Sequence, residues 1–280
     1  MRVPLSNLSA SYRAPTTNNT VTVVAGTKGG QHSHSVMKTL IRCVIPLLFS
    51  ASLSAQTGTL QFSSPPGQVS LLELYTSQGC SSCPPADAWL STLVDHPKLW
   101  RELIPVAFHV DYWDRLGWKD PFGSADNTRR QYQHQRSGAT RAVYTPGFLL
   151  NGREWRGRGR QGWLPERGLQ GAALSVGVVG ERIVINYEHT EAALDVHVAL
   201  LGFGLETPVG AGENRRKTLR EDFVMLAHTT ATMQDGHWRA TMPVSAAVTE
   251  RRALVVWVSQ PGQAQALQAA GGWLPTDRDR

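Results

Sequence analysis

Cys80 and Cys83 sit where a strand-forming run, Val69-Ser70-Leu71-Leu72-Glu73-Leu74-Tyr75-Thr76, gives way to a helix beginning near Pro84-Pro85. This junction constrains the fold more than any other stretch of the chain. Ala86, Leu90, Leu93 and Val94 recur at helical spacing, proline is tolerated in a first turn, and Ser81 or Ser82 is positioned to cap it. A Cys-x-x-Cys pair at such a switch sets its first sulfur beside the unpaired N–H groups of the helix start, where partial positive charge favours thiolate over thiol. His96-Pro97 ends the helix near Val94, because the residue before proline is pushed out of the helical region. The nearly continuous apolar run Leu103 to Val110 then predicts a strand covered on both faces. Strand, helix and strand of these lengths predict a right-handed crossover, the opening of an α/β fold.

At the end of that second strand, Asp111 to Phe122 gathers four aromatics (Tyr112, Trp113, Trp118, Phe122) and three acids without strand or helix period. Ligands of open α/β sheets bind at the carboxyl ends of strands, and Cys80 follows the first strand at the same edge. The aromatic loop and the cysteines are therefore expected to be neighbours. Asp126 to Ser137 reads as a polar helix capped by Ser124 and projecting as an insertion. Thr145-Pro146 precedes a short apolar strand that turns at Asn151-Gly152, a pair suited to a tight hairpin, and returns through Arg153-Glu154-Trp155.

From Leu174 onward the pattern changes to short strands: Leu174 to Val179, Arg182 to His189, Leu194 to Phe203, Phe223 to Ala231, His237 to Pro243 and Ala253 to Gln260. These predict a smaller, mainly antiparallel β domain over 172–265, packed after an α/β domain at 69–165 whose helical insertion spans 111–142.

The amino-terminal residues point to export. Met37, Lys38 and Arg42 form a basic start, Cys43 to Phe49 is apolar, and small residues run through Ala55, so 37–55 reads as a signal peptide cleaved near Ala55-Gln56. Residues 1–36 read as a non-native or disordered leader, and 56–68 as a linker without sustained periodicity. The apolar stretch is far shorter than the roughly 20 residues that span a bilayer, so no permanent membrane span is expected after cleavage. The mature protein is expected to be periplasmic or secreted. Cleavage removes Cys43 and leaves Cys80 and Cys83 as the only cysteines. One bridge over so short a loop removes little unfolded-state entropy, which argues against a purely scaffolding role.

The formal net charge of the 280-residue chain is +6. Between Asn127 and Trp163 stand eight arginines (129, 130, 136, 141, 153, 156, 158 and 160) against one acid, Glu154. An exported protein meets little nucleic acid, so no nucleic-acid partner is expected and this window reads as a solvated basic loop.

The run Gln78-Gly79-Cys80-Ser81-Ser82-Cys83-Pro84-Pro85-Ala86-Asp87, the run His109-Val110-Asp111-Tyr112-Trp113 with Gly117-Trp118-Lys119-Asp120-Pro121, and Tyr144-Thr145-Pro146 before Asn151-Gly152 resemble an uncharacterised family of exported bacterial proteins with a thioredoxin-like fold. Gly212-Glu213-Asn214 with Thr218-Leu219, and Val255 to Gln260, are similar to that family's C-terminal strands. The resemblance implies that Cys80 is the exposed attacking sulfur, Cys83 the resolving one, and Pro146 a cis proline facing them. Thr145 then offers its backbone to an extended substrate, with Tyr112, Trp113 and Trp118 as further substrate contacts. The chain departs from the commoner Trp-Cys pattern in having Gly79 before Cys80.

Glu73 interrupts an apolar strand seven positions before Cys80, where a buried carboxylate serves as base for the second sulfur or simply faces a polar partner. Asp111 is the rival base. The leading expectation is thiol–disulfide exchange with protein or small-molecule thiols and disulfides, needing no cofactor beyond the Cys80–Cys83 disulfide. Two alternatives stand beside it: soft-metal binding by Cys80, Cys83 and His109, and a non-catalytic partner-binding protein gripping through the aromatic loop.

Overall fold

An edge strand, β1 (Leu60–Ser63), opens the computed structural model, which describes residues 59–158, 171–188 and 193–276. Two fully buried strands follow, β2 (Ser70–Thr76) and β3 (Leu103–His109), paired in parallel and joined through helix α1 (Pro84–Ser91). Their runs of Leu, Ile, Val and Phe are apolar at successive positions because both faces are covered. Helix α2 (Ala125–Arg136) precedes the hairpin β4 (Gly147–Leu150) and β5 (Arg153–Glu154), whose turn residues Asn151 and Gly152 both take positive φ. The remainder is strand: β6 (Leu174–Val179), β7 (Arg182–Tyr187), β8 (Leu194–Phe203), β9 (Leu205–Pro208), β10 (Thr218–Glu221), β11 (Val224–Met233), β12 (His237–Thr241), β13 (Arg251–Ser259) and β14 (Ala266–Trp273).

One mixed sheet of eight strands, ordered β14-β13-β8-β11-β3-β2-β4-β5, runs through both halves of the chain. Its join is the parallel contact of β11 with β3 at Val224 and Ala107. A four-stranded antiparallel sheet, β1-β6-β7-β12, covers one face of the β8, β13 and β14 side. Alternation along β13 carries this division: Leu254, Val256 and Val258 face the smaller sheet with Ile183, Ile185 and Leu174, while Ala253, Val255 and Trp257 join the core around Tyr75 and Phe108.

The α/β, thioredoxin-like class expected from the sequence is not what the chain adopts. Of the described residues 45% lie in strands and 11% in helices, with two α-helices, so the fold is mainly β with large mixed and antiparallel sheets. The strand–helix–strand opening is real, but it is one crossover within a sheet most of whose strands come from elsewhere. Layered α/β folds need apolar helix faces to cover the sheet, and here α1 is eight residues long. Helix α2, Ala125-Asp-Asn-Thr-Arg-Arg-Gln-Tyr-Gln-His-Gln-Arg136, offers hardly any apolar side chains. The smaller β-sheet supplies the missing cover.

Several details also differ from the sequence reading. Leu60–Ser63 pairs with β6, although it lies in the stretch read as a linker. Helix α1 stops at Ser91, and its N-cap is Cys83 with no side-chain cap. Helix α2 is capped by Ser124, which accepts from the Asp126 N–H, but it does not project: Asn127, Arg130, Gln131 and His134 are buried. The leader at 1–36 and the signal segment at 37–55 lie outside the described residues, as do Arg160 and Trp163 of the basic window. No helix among the described residues is long and apolar enough to cross a membrane.

Candidate functional site

Strand β2 delivers Cys80 through the turn Ser77-Gln78-Gly79, in which the Cys80 N–H donates to the Ser77 carbonyl at 3.1 Å. Cys80 and Cys83 are joined by a disulfide with their Cα atoms 5.5 Å apart. Helix electrostatics contribute less here than the sequence suggests. Pro84 and Pro85 fill the first two helical positions and carry no N–H, while the next two donors, Ala86 and Asp87, are spent on the Cys83 carbonyl at 2.7 and 3.1 Å. The group that does reach the first sulfur is the Ser82 hydroxyl, 3.4 Å from Cys80 Sγ. A disulfide sulfur has no hydrogen to give, so Ser82 is the donor.

Cys80 is not exposed. Both cysteines are fully buried, whereas Ser81 and Ser82 face solvent. Two elements cover them. One is the aromatic loop: Trp113 packs so closely on Gly79 that a Cβ there would stand 3.0 Å from the Trp113 Cβ. That contact is the reason for glycine before Cys80. The same Trp113 donates its indole N–H to the Thr145 hydroxyl at 2.8 Å, which ties the cysteine turn to the cis Thr145-Pro146 bond. Thr145 and Pro146 are half-buried and precede Gly147, the first residue of the β4 ladder. Tyr112 donates to Gln131, which in turn donates to the Tyr144 carbonyl. Trp118 donates to the Gln78 side chain at 3.2 Å.

The second cover comes from far along the chain. The buried Asn214 amide donates to the carbonyls of Gln78 and Cys80, 2.9 Å each, and the Glu213 carboxylate accepts from the Ser81 N–H at 2.9 Å. Lys217 donates to Asn214 Oδ1 and fixes its orientation. Glu213 and Asn214, which resemble a strand segment in sequence, lie in the turn before β10. They form a strap over the Cys80 segment.

A buried polar cluster is tied to the cysteine turn through Gln78. Asp87 on α1, His109 at the end of β3, Asp120 in the aromatic loop and Glu221 on β10 are each at most 7% exposed. His109 Nδ1 is 2.8 Å from Asp120 and its Nε2 is 4.0 Å from Glu221. Burial alone would keep this imidazole neutral, yet Asp120 and Glu221 hold its pKa up at about 9. Asp120 is correspondingly lowered despite its burial, and it also accepts from the Gln78 N–H. Glu221 is raised by burial and takes a bond from Gln78 Nε2 at 2.7 Å. Burial and the neighbouring Glu221 push Asp87 up to about 7.

Glu73 is elsewhere in purpose. Arg130 clasps its carboxylate with two bonds of 2.8 and 2.9 Å, and Tyr75 and His134 donate to the same group. Burial by itself would raise its pKa, but Arg130 and His134 hold it far below the carboxylate range. Arg130 is in turn enclosed by the rings of Phe108 and Trp257 and donates to the Ala264 carbonyl. A carboxylate so fully paired is a poor proton acceptor, and Arg130 does not belong to a solvated basic loop. Asp111, the rival base, is bonded to Thr128 at 2.6 Å.

His109 is committed to carboxylates, and no group of three or more metal-ligating side chains occurs among the described residues. A cavity of about 630 Å³ lies behind Phe122 and Asn127, lined also by Leu205, Met225 and His228, and neither cysteine borders it.

Fold and site together define a mainly β protein with a covered Cys-x-x-Cys disulfide whose turn packs on Trp113. The chain belongs to the family described as protein of unknown function DUF1223, whose model matches residues 71–259. It is similar to the crystal structure of a protein from Agrobacterium tumefaciens, at 25% identity over 76% of this chain and 97% of that one, with a TM-score of 0.57. HBP35 of Porphyromonas gingivalis is a more distant likeness, at 11% identity over 75% of this chain and 76% of the other, with a TM-score of 0.47. No functionally curated protein matches the chain.

Asp87, Gln78, Asp120, Glu213, Asn214 and Glu221 were not singled out as site residues by sequence reasoning. For Asp87 a signal existed, since it stands four residues after Cys83 on an expected helix. Glu221 and Asn214 have no local signal, because only the tertiary fold brings them to Cys80.

Proposed function

We propose that this protein exchanges thiols and disulfides through Cys80 and Cys83, with Cys80 as the attacking sulfur, once the Glu213–Asn214 strap is displaced. The observation that carries the reading is the Cys80–Cys83 disulfide itself, with a hydroxyl donor, Ser82, on the first sulfur. A bridge closing so short a loop adds little to stability, so its value lies in being made and broken. Trp113 links the cysteine turn to Thr145-Pro146, which gives an incoming substrate segment a place to dock next to the sulfurs once the cover opens. The strap is held by hydrogen bonds to backbone groups, each worth about 1 kcal/mol net, and a partner offering equivalent donors can replace them. Such chemistry suits an oxidising compartment outside the cytoplasm, with protein or small-molecule thiols and disulfides as partners.

The test is the reduction potential of the pair, measured by equilibration with dithiothreitol and glutathione buffers. A catalytic pair is expected between about −270 and −120 mV, whereas a potential below about −300 mV is that of a structural bridge and would reject the reading. In Cys83→Ser, mixed disulfides with glutathione should accumulate on Cys80.

A further inference from the structure

Cys83 and Asp87 stand one helical turn apart, both buried, with the Asp87 N–H bonded to the Cys83 carbonyl at 3.1 Å. Residues four apart on a helix share one face, so Asp87 stands on the face of the first turn that also carries Cys83. We propose that Asp87, not Glu73, is the acid–base group that moves the proton of the resolving sulfur, and that Glu221 and the His109–Asp120 pair set its proton affinity. This inference rests on the thiol–disulfide reading and assigns the proton path of the same site.

Asp87 makes no ion pair of its own; its neighbours are the Thr76 hydroxyl and the groups of the polar cluster, so its burial costs rather than adds stability. What faces it is a shared electrostatic environment assembled from three other elements: Glu221 from β10, His109 from β3 and Asp120 from the aromatic loop. One imidazolium and three carboxyl groups in a dry site leave a proton to be shared between Asp87 and Glu221. Burial keeps Asp87 poised near neutrality, where a general base is most effective.

The step balances as follows. In the reduced protein the Cys80 thiolate attacks one sulfur of a substrate disulfide; the S–S bond breaks and the first substrate thiolate leaves. Ionised Asp87 then takes the Cys83 proton, and the Cys83 thiolate attacks Cys80 Sγ. The mixed disulfide breaks, the Cys80–Cys83 bond forms and the second substrate thiolate departs. The substrate gains two electrons and the cysteine pair loses two. In the reverse direction protonated Asp87 returns its proton to the departing Cys83 sulfur.

The experiment uses one equivalent of dithiobis(nitrobenzoate), an aromatic disulfide, mixed with reduced full-length protein, in which capture and resolution each release one coloured thiolate. Asp87→Asn should slow resolution about 100-fold while leaving capture, measured in the Cys83→Ser background, within about twofold. The wild-type resolution rate should show an inflection near neutral pH that is lost in Asp87→Asn. Glu221→Gln, which removes a neighbouring negative charge, should move that inflection to lower pH. Resolution at the wild-type rate in Asp87→Asn, equal slowing of both steps, or an unmoved inflection in Glu221→Gln overturns the assignment while leaving exchange intact. Failure of Cys80 to capture the probe at all, under conditions where the unfolded chain reacts, rejects the exchange reading and this inference with it.

Discussion

The Asn214 side-chain amide donates to the Cys80 carbonyl at 2.9 Å, so a residue 134 positions downstream holds the backbone of the cysteine turn. Together with the Glu213 bond to the Ser81 N–H, this contact turns a loop of the second half of the chain into the cover of a site built by the first. Asn214→Ala leaves two carbonyls without their donor and should cost about 1–3 kcal/mol of stability. It should also raise the rate at which the reduced thiols react with a maleimide by at least about tenfold, since two bonds of about 1 kcal/mol each exceed the ~1.4 kcal/mol of one tenfold step. Denaturant unfolding and timed alkylation measure the two effects, and an unchanged alkylation rate rejects the strap as a gate.

Ser82 offers a separate handle on the first sulfur. Its hydroxyl lies 3.4 Å from Cys80 Sγ, and once the bridge is reduced it donates to a thiolate, a charge-assisted bond. With the helix start filled by prolines, this donor has few competitors. Ser82→Ala should therefore raise the Cys80 pKa by about one unit, the equivalent of a hydrogen bond to charge of ~1.4 kcal/mol. The pH dependence of iodoacetamide alkylation in the Cys83→Ser background reads this directly. An unaltered pKa would show that the hydroxyl turns away when the sulfurs separate.

What was legible in the sequence was local. The β2–turn–α1 junction, the hairpin at Asn151-Gly152, the Ser124 cap and the limits of β6 and β8 follow from periodicity and turn chemistry, which act over a few residues. The fold class is not legible because one strand–helix–strand unit says nothing about what else joins its sheet, and the β11–β3 contact that does so involves a single paired position in each strand. The site divides along the same line. Trp113 of the aromatic loop packs on Gly79 in the cysteine turn, and its indole reaches Thr145. The place of Glu73 in an apolar strand leaves a base and a polar-paired carboxylate equally open, and pattern alone cannot reveal that Arg130, from a helix of polar residues, is its partner. The burial of Cys80 is equally invisible, since half of its cover, the Glu213–Asn214 strap, comes from more than 130 residues downstream.

Glu73→Gln tests that structural assignment. The substitution leaves the Arg130 guanidinium buried against Phe108 and Trp257 without a countercharge, and breaking a buried pair in this way costs about 3–5 kcal/mol. The Cys80–Cys83 reduction potential should stay within about 30 mV of wild type, about one tenfold step in equilibrium constant. Because the folded-state pKa of Glu73 is depressed, its contribution is present above the ordinary value of 4.5 and is lost as pH falls below it. Unfolding free energies at pH 3 and pH 6 should thus differ less in Glu73→Gln than in wild type. A variant as stable as wild type, with a displaced potential, would return Glu73 to the redox machinery.

The polar cluster tied to the cysteine turn has the opposite pH signature. His109 binds its proton more tightly folded than unfolded, with a pKa raised from 6.5 to about 9, so its contribution is complete below 6.5 and disappears as pH rises through 9. Asp87 acts in the same direction at lower pH, because a carboxyl raised from 3.8 to about 7 also holds an extra proton in the folded state, and stability falls as that proton leaves. The oxidised protein should therefore lose stability continuously from mildly acidic to alkaline pH, with about 3 kcal/mol of the loss between pH 6.5 and 9 due to His109. His109→Asn should flatten the alkaline part of this curve and leave the acid limb governed by Glu73 in place. Urea unfolding of the oxidised protein at half-unit pH intervals resolves both windows. A wild-type profile that is level between pH 6.5 and 9 would mean that the imidazole between Asp120 and Glu221 is neutral, and that the cluster is short of the charge on which its proton sharing depends.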